Sequence, residues 1–273
     1  MPQPPKTLKQ IESLIQVVAD LRGPFGCPWD RQQTHQTLVP YAIEETHEMV
    51  EAIESGDDAH ICEELGDVLF QVVLHAQLAS ERGAFTMTEV IESITSKIVR
   101  RHPHGFANVK VDGIDEVFKN WDEIKKLEKA SKPQKKKSAI DVPPGLPALQ
   151  RAHNIGEKTA KYKFDWTEVS QVLAQLKSEI IELEEAMAEA DSAARSAHIS
   201  HEIGDVLFSA AQIARHLDND PESNLREANR RFISRFEKML SLGSLDGDTF
   251  KTLTDAEKEK LWSKAKAALA AGV

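Results

Sequence analysis

The segment Glu64-Leu-Gly-Asp-Val-Leu-Phe70 returns as Glu202-Ile-Gly-Asp-Val-Leu-Phe208, an offset of 138 residues. Three further pairs keep the same order. Glu45-Thr-His-Glu48 answers to Glu179-Ile-Ile-Glu182, Trp29 to Trp166, and Trp121 with Lys125 to Trp262 with Lys266. Four ordered pairs at nearly constant offset are too many for chance and identify a tandem duplication. Whatever one half folds into, the other half must fold into as well.

Each half reads as helix. Leu65, Val68, Leu69, Val72, Val73 and Ala76 keep the i, i+3, i+4, i+7 spacing of an amphipathic face. Ile203, Val206, Leu207, Ala210, Ala211 and Ala214 do the same in the second half. Leu173, Leu176, Ile180 and Leu183 form a stripe before that helix, and Leu225, Ala228, Phe232 and Phe236 one after it. Strand-like alternation between turn signals is hard to find. The expected fold is all-α, with two tandem helical-bundle domains. Between the halves, a lysine-rich stretch from Lys125 to Lys137 leads into Asp141-Val-Pro-Pro-Gly-Leu-Pro147. Prolines remove backbone donors and restrict the residue before them, so no helix should run through. The expected division is a domain over 1–129, a linker over 130–147 and a domain over 148–273.

Charge narrows the function. The chain carries 34 Lys+Arg against 44 Asp+Glu, a net −10. A general nucleic-acid binder needs a basic footprint, so the lysine stretch reads as a solvated hinge instead. Two cysteines, Cys27 and Cys62, cannot build a disulfide framework. The start lacks the apolar stretch of a signal peptide, and no apolar run approaches membrane-spanning length. A cytoplasmic protein with no membrane partner is expected.

The acidic excess has a pattern. Glu45 and Glu48 are three apart, as are Glu64 and Asp67, and the second half offers Glu179 and Glu182 with Glu202 and Asp205. Residues i and i+3 share a helical face, so antiparallel packing of two such helices would bring four carboxylates together. They would repel one another strongly unless a cation sat between them. Oxygen-only ligation suits Mg²⁺, with Mn²⁺ as a substitute, rather than zinc. A single Glu-x-x-Glu on a charged helix is ordinarily a solvated face. The recurrence of both pairs, each with Gly-Asp beside an apolar stripe, is what turns the reading to a metal site. His47 and His201 lie beside these carboxylates. A di-iron bundle needs the histidine three after a glutamate, whereas His47 is two after Glu45 and His201 precedes Glu202. Both read as outer or surface groups rather than ligands.

Basic and aromatic residues recur too. Arg231 and Arg235 share one helical face, and Lys97 and Arg101 take the same place in the first half, ahead of His102-Pro-His104. Paired cations can hold a phosphate chain, arginines by forked hydrogen bonds. Trp262 with Lys266, and Trp121 with Lys125, add an indole able to stack on a base beside a lysine able to reach phosphate. Singly, each is an ordinary surface helix or core aromatic. No Walker loop, serine nucleophile elbow or Cys-His dyad is present, so catalysis by a protein nucleophile has no support.

Taken together, the two carboxylate sets resemble the pattern of the MazG family of nucleoside triphosphate pyrophosphohydrolases. Phe25-Gly-Cys-Pro-Trp-Asp30, Arg100-Arg-His-Pro-His104 and Phe164-Asp-Trp166 resemble the two-domain bacterial branch, over nearly the whole chain apart from the ends and linker. The resemblance implies dimerising helical bundles and Mg²⁺-dependent cleavage of a nucleoside triphosphate between the α- and β-phosphates, by attack of a metal-activated water. It implies Glu179, Glu182, Glu202 and Asp205 as catalytic metal ligands of the C-terminal site, with Arg231, Arg235, Trp262 and Lys266 on the nucleotide. The N-terminal counterparts are Glu45, Glu48, Glu64 and Asp67, with Lys97, Arg101, Trp121 and Lys125. Two departures stand out. Ser178 replaces an acidic residue common before the first glutamate, and His198 replaces a basic residue common four before Glu202, which weakens an expected phosphate contact or makes it depend on pH.

The leading reading is a housecleaning hydrolase of nucleoside triphosphates acting as a homodimer. A narrower enzyme for deoxynucleotides or phosphoribosyl-ATP, a nucleotide-sensing binding module and a non-catalytic metal scaffold are the competitors. A sensor would be favoured by the loss of a metal carboxylate, and none is lost. A scaffold would not need Arg231 and Arg235 together.

Overall fold

Several of the helices that carry the apolar stripes are started by polar side chains. In the computed structural model, which describes residues 3–130, 138 and 140–271, the described residues form helices and no strand. The first half contains α1 (Ile11–Arg22), α2 (Pro28–Gln32), α3 (Val39–Ser55), α4 (Asp58–Glu81), α5 (Met87–Arg101), α6 (Pro103–Phe106) and α7 (Ile114–Ala130). The second contains α8 (Ala148–Ala160), α9 (Val169–Ala188), α10 (Ala193–His216), α11 (Pro221–Gly243), α12 (Gly247–Lys251) and α13 (Asp255–Ala270). The Asp57 carboxylate accepts from the backbone of Ala59 and His60 to start α4, and Thr86 with Glu89 closes a capping box on α5. Ser192, Asp220 and Thr254 do the same for α10, α11 and α13. Gly56 ends α3 at φ 73°, a left-handed turn that lets α4 fold straight back.

The chain divides into two units, residues 1–133 and 134–273. Residues 131–137 and 139 of the expected linker lie outside the described residues. In unit 1, α3 packs on α4, α1 on α4, and α5 against α4, α6 and α7. Its core joins Val18, Leu38, Val73, Leu74 and Leu78. In unit 2, α9 and α8 pack on α10, and α11 packs on α13. Val172, Ala186, Ala211, Met239 and Ala265 are buried there. The second core also holds polar groups. Gln212 is fully buried and donates to the Ala152 carbonyl at 2.8 Å, and Arg215 grips both oxygens of Asp165 at 2.9 and 2.6 Å.

The apolar stripes are only partly covered within their units. Val73, Ala76 and Ala211 are buried, but Leu65 (51% exposed), Leu69, Val72, Ile203, Leu207 (51%), Leu173 and Ile180 face outward. Periodicity reports which side of a helix is apolar, not whether its own unit supplies the cover. Among the described residues, no helix is long and apolar enough to cross a membrane.

Candidate metal and nucleotide site

The antiparallel α3–α4 pair brings carboxylate oxygens of Glu45, Glu48 and Glu64 within 4.8 Å of one another, and α9–α10 does so for Glu179, Glu182 and Glu202. The fourth acid of each set joins through a neighbour. Asp205 lies within the same distance of Glu202 and His201, and Asp67 acts on Glu45 through its charge. Burial, then the charges of Asp67, Glu48 and Glu64, push the Glu45 carboxyl above its ordinary value, against a hydrogen bond from Gln71.

On the second helix of each pair the glutamate of the set is buried: Glu64 is 8% exposed and Glu202 4%. The Oε2 atom of each is enclosed and has no hydrogen-bond partner. A carboxylate only accepts, so a buried oxygen without a donor among other carboxylates is destabilising until positive charge arrives. Oxygen donors from two helices fit a hard divalent cation. Side chains along α9 brace the set, Gln175 donating to Glu179 Oε1 at 2.6 Å and Ser178 to Glu182 Oε1 at 3.0 Å.

The basic and aromatic residues assemble on a second helix pair in each unit. Arg235 lies over the Trp262 ring at 5.7 Å, and Phe232 meets that ring at 5.2 Å between centroids. Phe236, Met239, Lys258 and Trp262 line a cleft between α11 and α13. Arg231 is tied to Glu227 at 3.2 Å, and Lys266 is exposed. In unit 1, Lys125 lies 5.8 Å from the Trp121 ring centre and pairs with Asp122 at 3.7 Å, while Lys97 is exposed. Arg101 differs from its counterpart. It and Arg100 both hold Glu128 at 2.6 Å, and they press that carboxyl down to about 2. The carboxylates thus lie on α3–α4 and α9–α10, and the basic and aromatic residues on α5 and α7 and on α11 and α13.

Among the described residues, three histidines meet the carboxylates of the site, and His60 is the one not singled out from the sequence. His60 Nε2 donates to Glu64 Oε1 at 3.1 Å, and His198 Nε2 stands 3.2 Å from Glu202 Oε1. His201 Nδ1 lies 3.2 Å from both Glu202 Oε1 and Asp205 Oδ2, and those carboxylates raise its pKa, Glu202 foremost. The signal for the first two was present in the sequence. Each histidine is one helical turn ahead of the buried glutamate, and the pairs share the offset of 138.

A family model described as the MazG nucleotide pyrophosphohydrolase domain matches the chain twice, over residues 33–106 and 167–239. The chain is 43% identical to a protein of Thermotoga maritima named nucleoside triphosphate pyrophosphohydrolase/pyrophosphatase MazG, over 93% of this chain and 95% of that one. It is 38% identical to the nucleoside triphosphate pyrophosphohydrolase of Escherichia coli K12, over 95% and 98%. A crystal structure of a MazG-related protein from Thermotoga maritima aligns with 42% of this chain and 99% of its own, at 31% identity and a TM-score of 0.37.

Proposed function

Since the chain belongs to the MazG family of nucleotide pyrophosphohydrolases, we propose that it cleaves nucleoside triphosphates between the α- and β-phosphates, giving monophosphate and pyrophosphate with Mg²⁺. The observation that carries the reading is the buried, unpartnered Glu202 Oε2 in a carboxylate that meets Glu179 and Glu182 within 4.8 Å. Glu179, Glu182, Glu202 and Asp205 would hold the metal, with Glu45, Glu48, Glu64 and Asp67 as the set of the first unit. When bound, a divalent cation there supplies Lewis-acid chemistry, neutralising phosphate oxygens and lowering the pKa of water.

The protein's own groups do the rest. A carboxylate of the set would orient the attacking water and take its proton, while the remainder would hold the cation that the phosphate oxygens need beside them. Arg231, Arg235 and Lys266 offset charge on the departing pyrophosphate, and Trp262 offers an indole face to the base. Lys97, Arg101, Trp121 and Lys125 take these roles in the first unit, where nucleotide must compete with Glu128 for Arg101. We place the enzyme in the cytoplasm as a housecleaning homodimer without general nucleic-acid binding. The outward apolar positions on α4, α9 and α10 support self-association.

A product assay tests the reaction. Purified protein is mixed with Mg²⁺ and a panel of nucleoside triphosphates, and mono-, di- and triphosphates are separated. Monophosphate plus pyrophosphate, lost on chelation, is the expected result. Diphosphate plus phosphate would place the cleaved bond elsewhere. Intact triphosphate with nucleotide still bound would make the protein a sensor.

A further inference from the structure

A buried carboxylate that must ligate a cation has two demands to meet at once. It has to keep one lone-pair direction free for the metal, and it has to be held in one rotamer without that metal. In both units the second demand falls on a histidine one turn ahead on the same helix. His60 Nε2 donates to Glu64 Oε1 at 3.1 Å, and His198 Nε2 approaches Glu202 Oε1 to 3.2 Å, an oxygen that His201 Nδ1 also reaches at 3.2 Å. In both, the other oxygen, Oε2, is enclosed without a donor. The second histidine is itself held from behind, since Glu189 Oε1 lies 2.8 Å from His198 Nδ1.

We infer that His60 and His198 are positioning residues that hold Oε1 of Glu64 and, alongside His201, Oε1 of Glu202, and so reserve Oε2 for the cation. The inference rests on the metal reading above. It differs from the phosphate contact that a basic residue at this place would suggest, because each ring is directed at the glutamate on its own helix. Contact through a ligand rather than with substrate explains why an imidazole, with a fixed ring and short reach, recurs here. A long lysine or arginine would extend past the carboxylate.

The test is Mn²⁺ binding to the full-length chain, followed by electron paramagnetic resonance with no nucleotide present, on three double variants checked for helicity. Glu64→Gln/Glu202→Gln examines the metal reading alone, and tight Mn²⁺ binding that survives there means the carboxylates are not the ligands. His60→Leu/His198→Leu removes the donor and should weaken Mn²⁺ binding roughly 10-fold or more, the usual cost of losing an outer-shell partner. His60→Gln/His198→Gln restores an N–H at similar reach and should recover binding to within about 3-fold of wild type. Loss in the glutamate variant with wild-type affinity in the leucine variant overturns the inference and leaves the metal reading standing. Equal weakening in the leucine and glutamine variants also overturns it, because the hydrogen bond would then not be what matters.

Discussion

Glu182, a proposed metal ligand, shows how little such a carboxylate need do for the fold. It is exposed, one of its oxygens accepts from Ser178, and a carboxylate oxygen comes within 4.8 Å of those of Glu179 and Glu202. Glu182→Gln should therefore leave helicity and melting temperature close to wild type while lowering turnover about 100-fold or more, equivalent to about 3 kcal/mol of transition-state stabilisation. Full activity in that variant would move catalysis to the first unit or refute the assignment. Asp165 is the opposite case. Its carboxyl is held below its ordinary value, first by Arg215 and then by His216, against burial. A carboxylate with a depressed folded pKa stabilises the protein fully above its ordinary value near 3.8, and that stabilisation is lost as pH falls through the lower folded value. Asp165→Asn should cost about 3 kcal/mol at neutral pH, because it strands a largely buried guanidinium. Its melting temperature should then fall less than that of wild type as pH is lowered through and below the ordinary value near 3.8, when both are followed by circular dichroism.

Among elements, the α8–α10 contact is the least forgiving. A methyl group on Gly156 would stand 2.0 Å from Gln212 Oε1 and 2.5 Å from Arg215 Nε. Those are side-chain ends, but Gln212 is tied to Ala152 and Arg215 to Asp165, so neither can swing away freely. Gly156→Ala should destabilise the second unit by about 1–3 kcal/mol in urea melts, despite the better helix propensity of alanine. The helices themselves were legible in the sequence: the stripes through Val68 and Val206 fix α4 and α10, and the paired acids fall on the helices where spacing put them. The polar lock was not legible, because nothing in the spacing of Gly156, Gln212 and Arg215 says that they meet across 50 residues or more. The histidine contacts were half legible. His198 stood out as a departure from a basic position, yet its partner, the glutamate one turn on, follows from i, i+4 geometry alone.

For the molecule as a whole, the uncovered stripes are the part that sequence periodicity described without explaining. Leu69 and Leu207 occupy equivalent places on α4 and α10, both exposed within their units. If a second copy covers them, light scattering should give about twice the 30.4 kDa chain mass. Leu69→Glu/Leu207→Glu should return the monomer mass, because each charge would be desolvated at the interface. A wild-type protein that runs at the monomer mass would sink the homodimer. The duplication also makes the chain a record of its own past. By parsimony, what the two copies share was already present in the single module that doubled: the acid pairs, the buried glutamate and the histidine a turn ahead of it. What they do not share was gained or lost after the doubling, including the Glu128 clamp on Arg101 and the pairing of His198 with Glu189. The ancestor thus had the means to hold its buried glutamate, and the descendants have since diverged in what surrounds it.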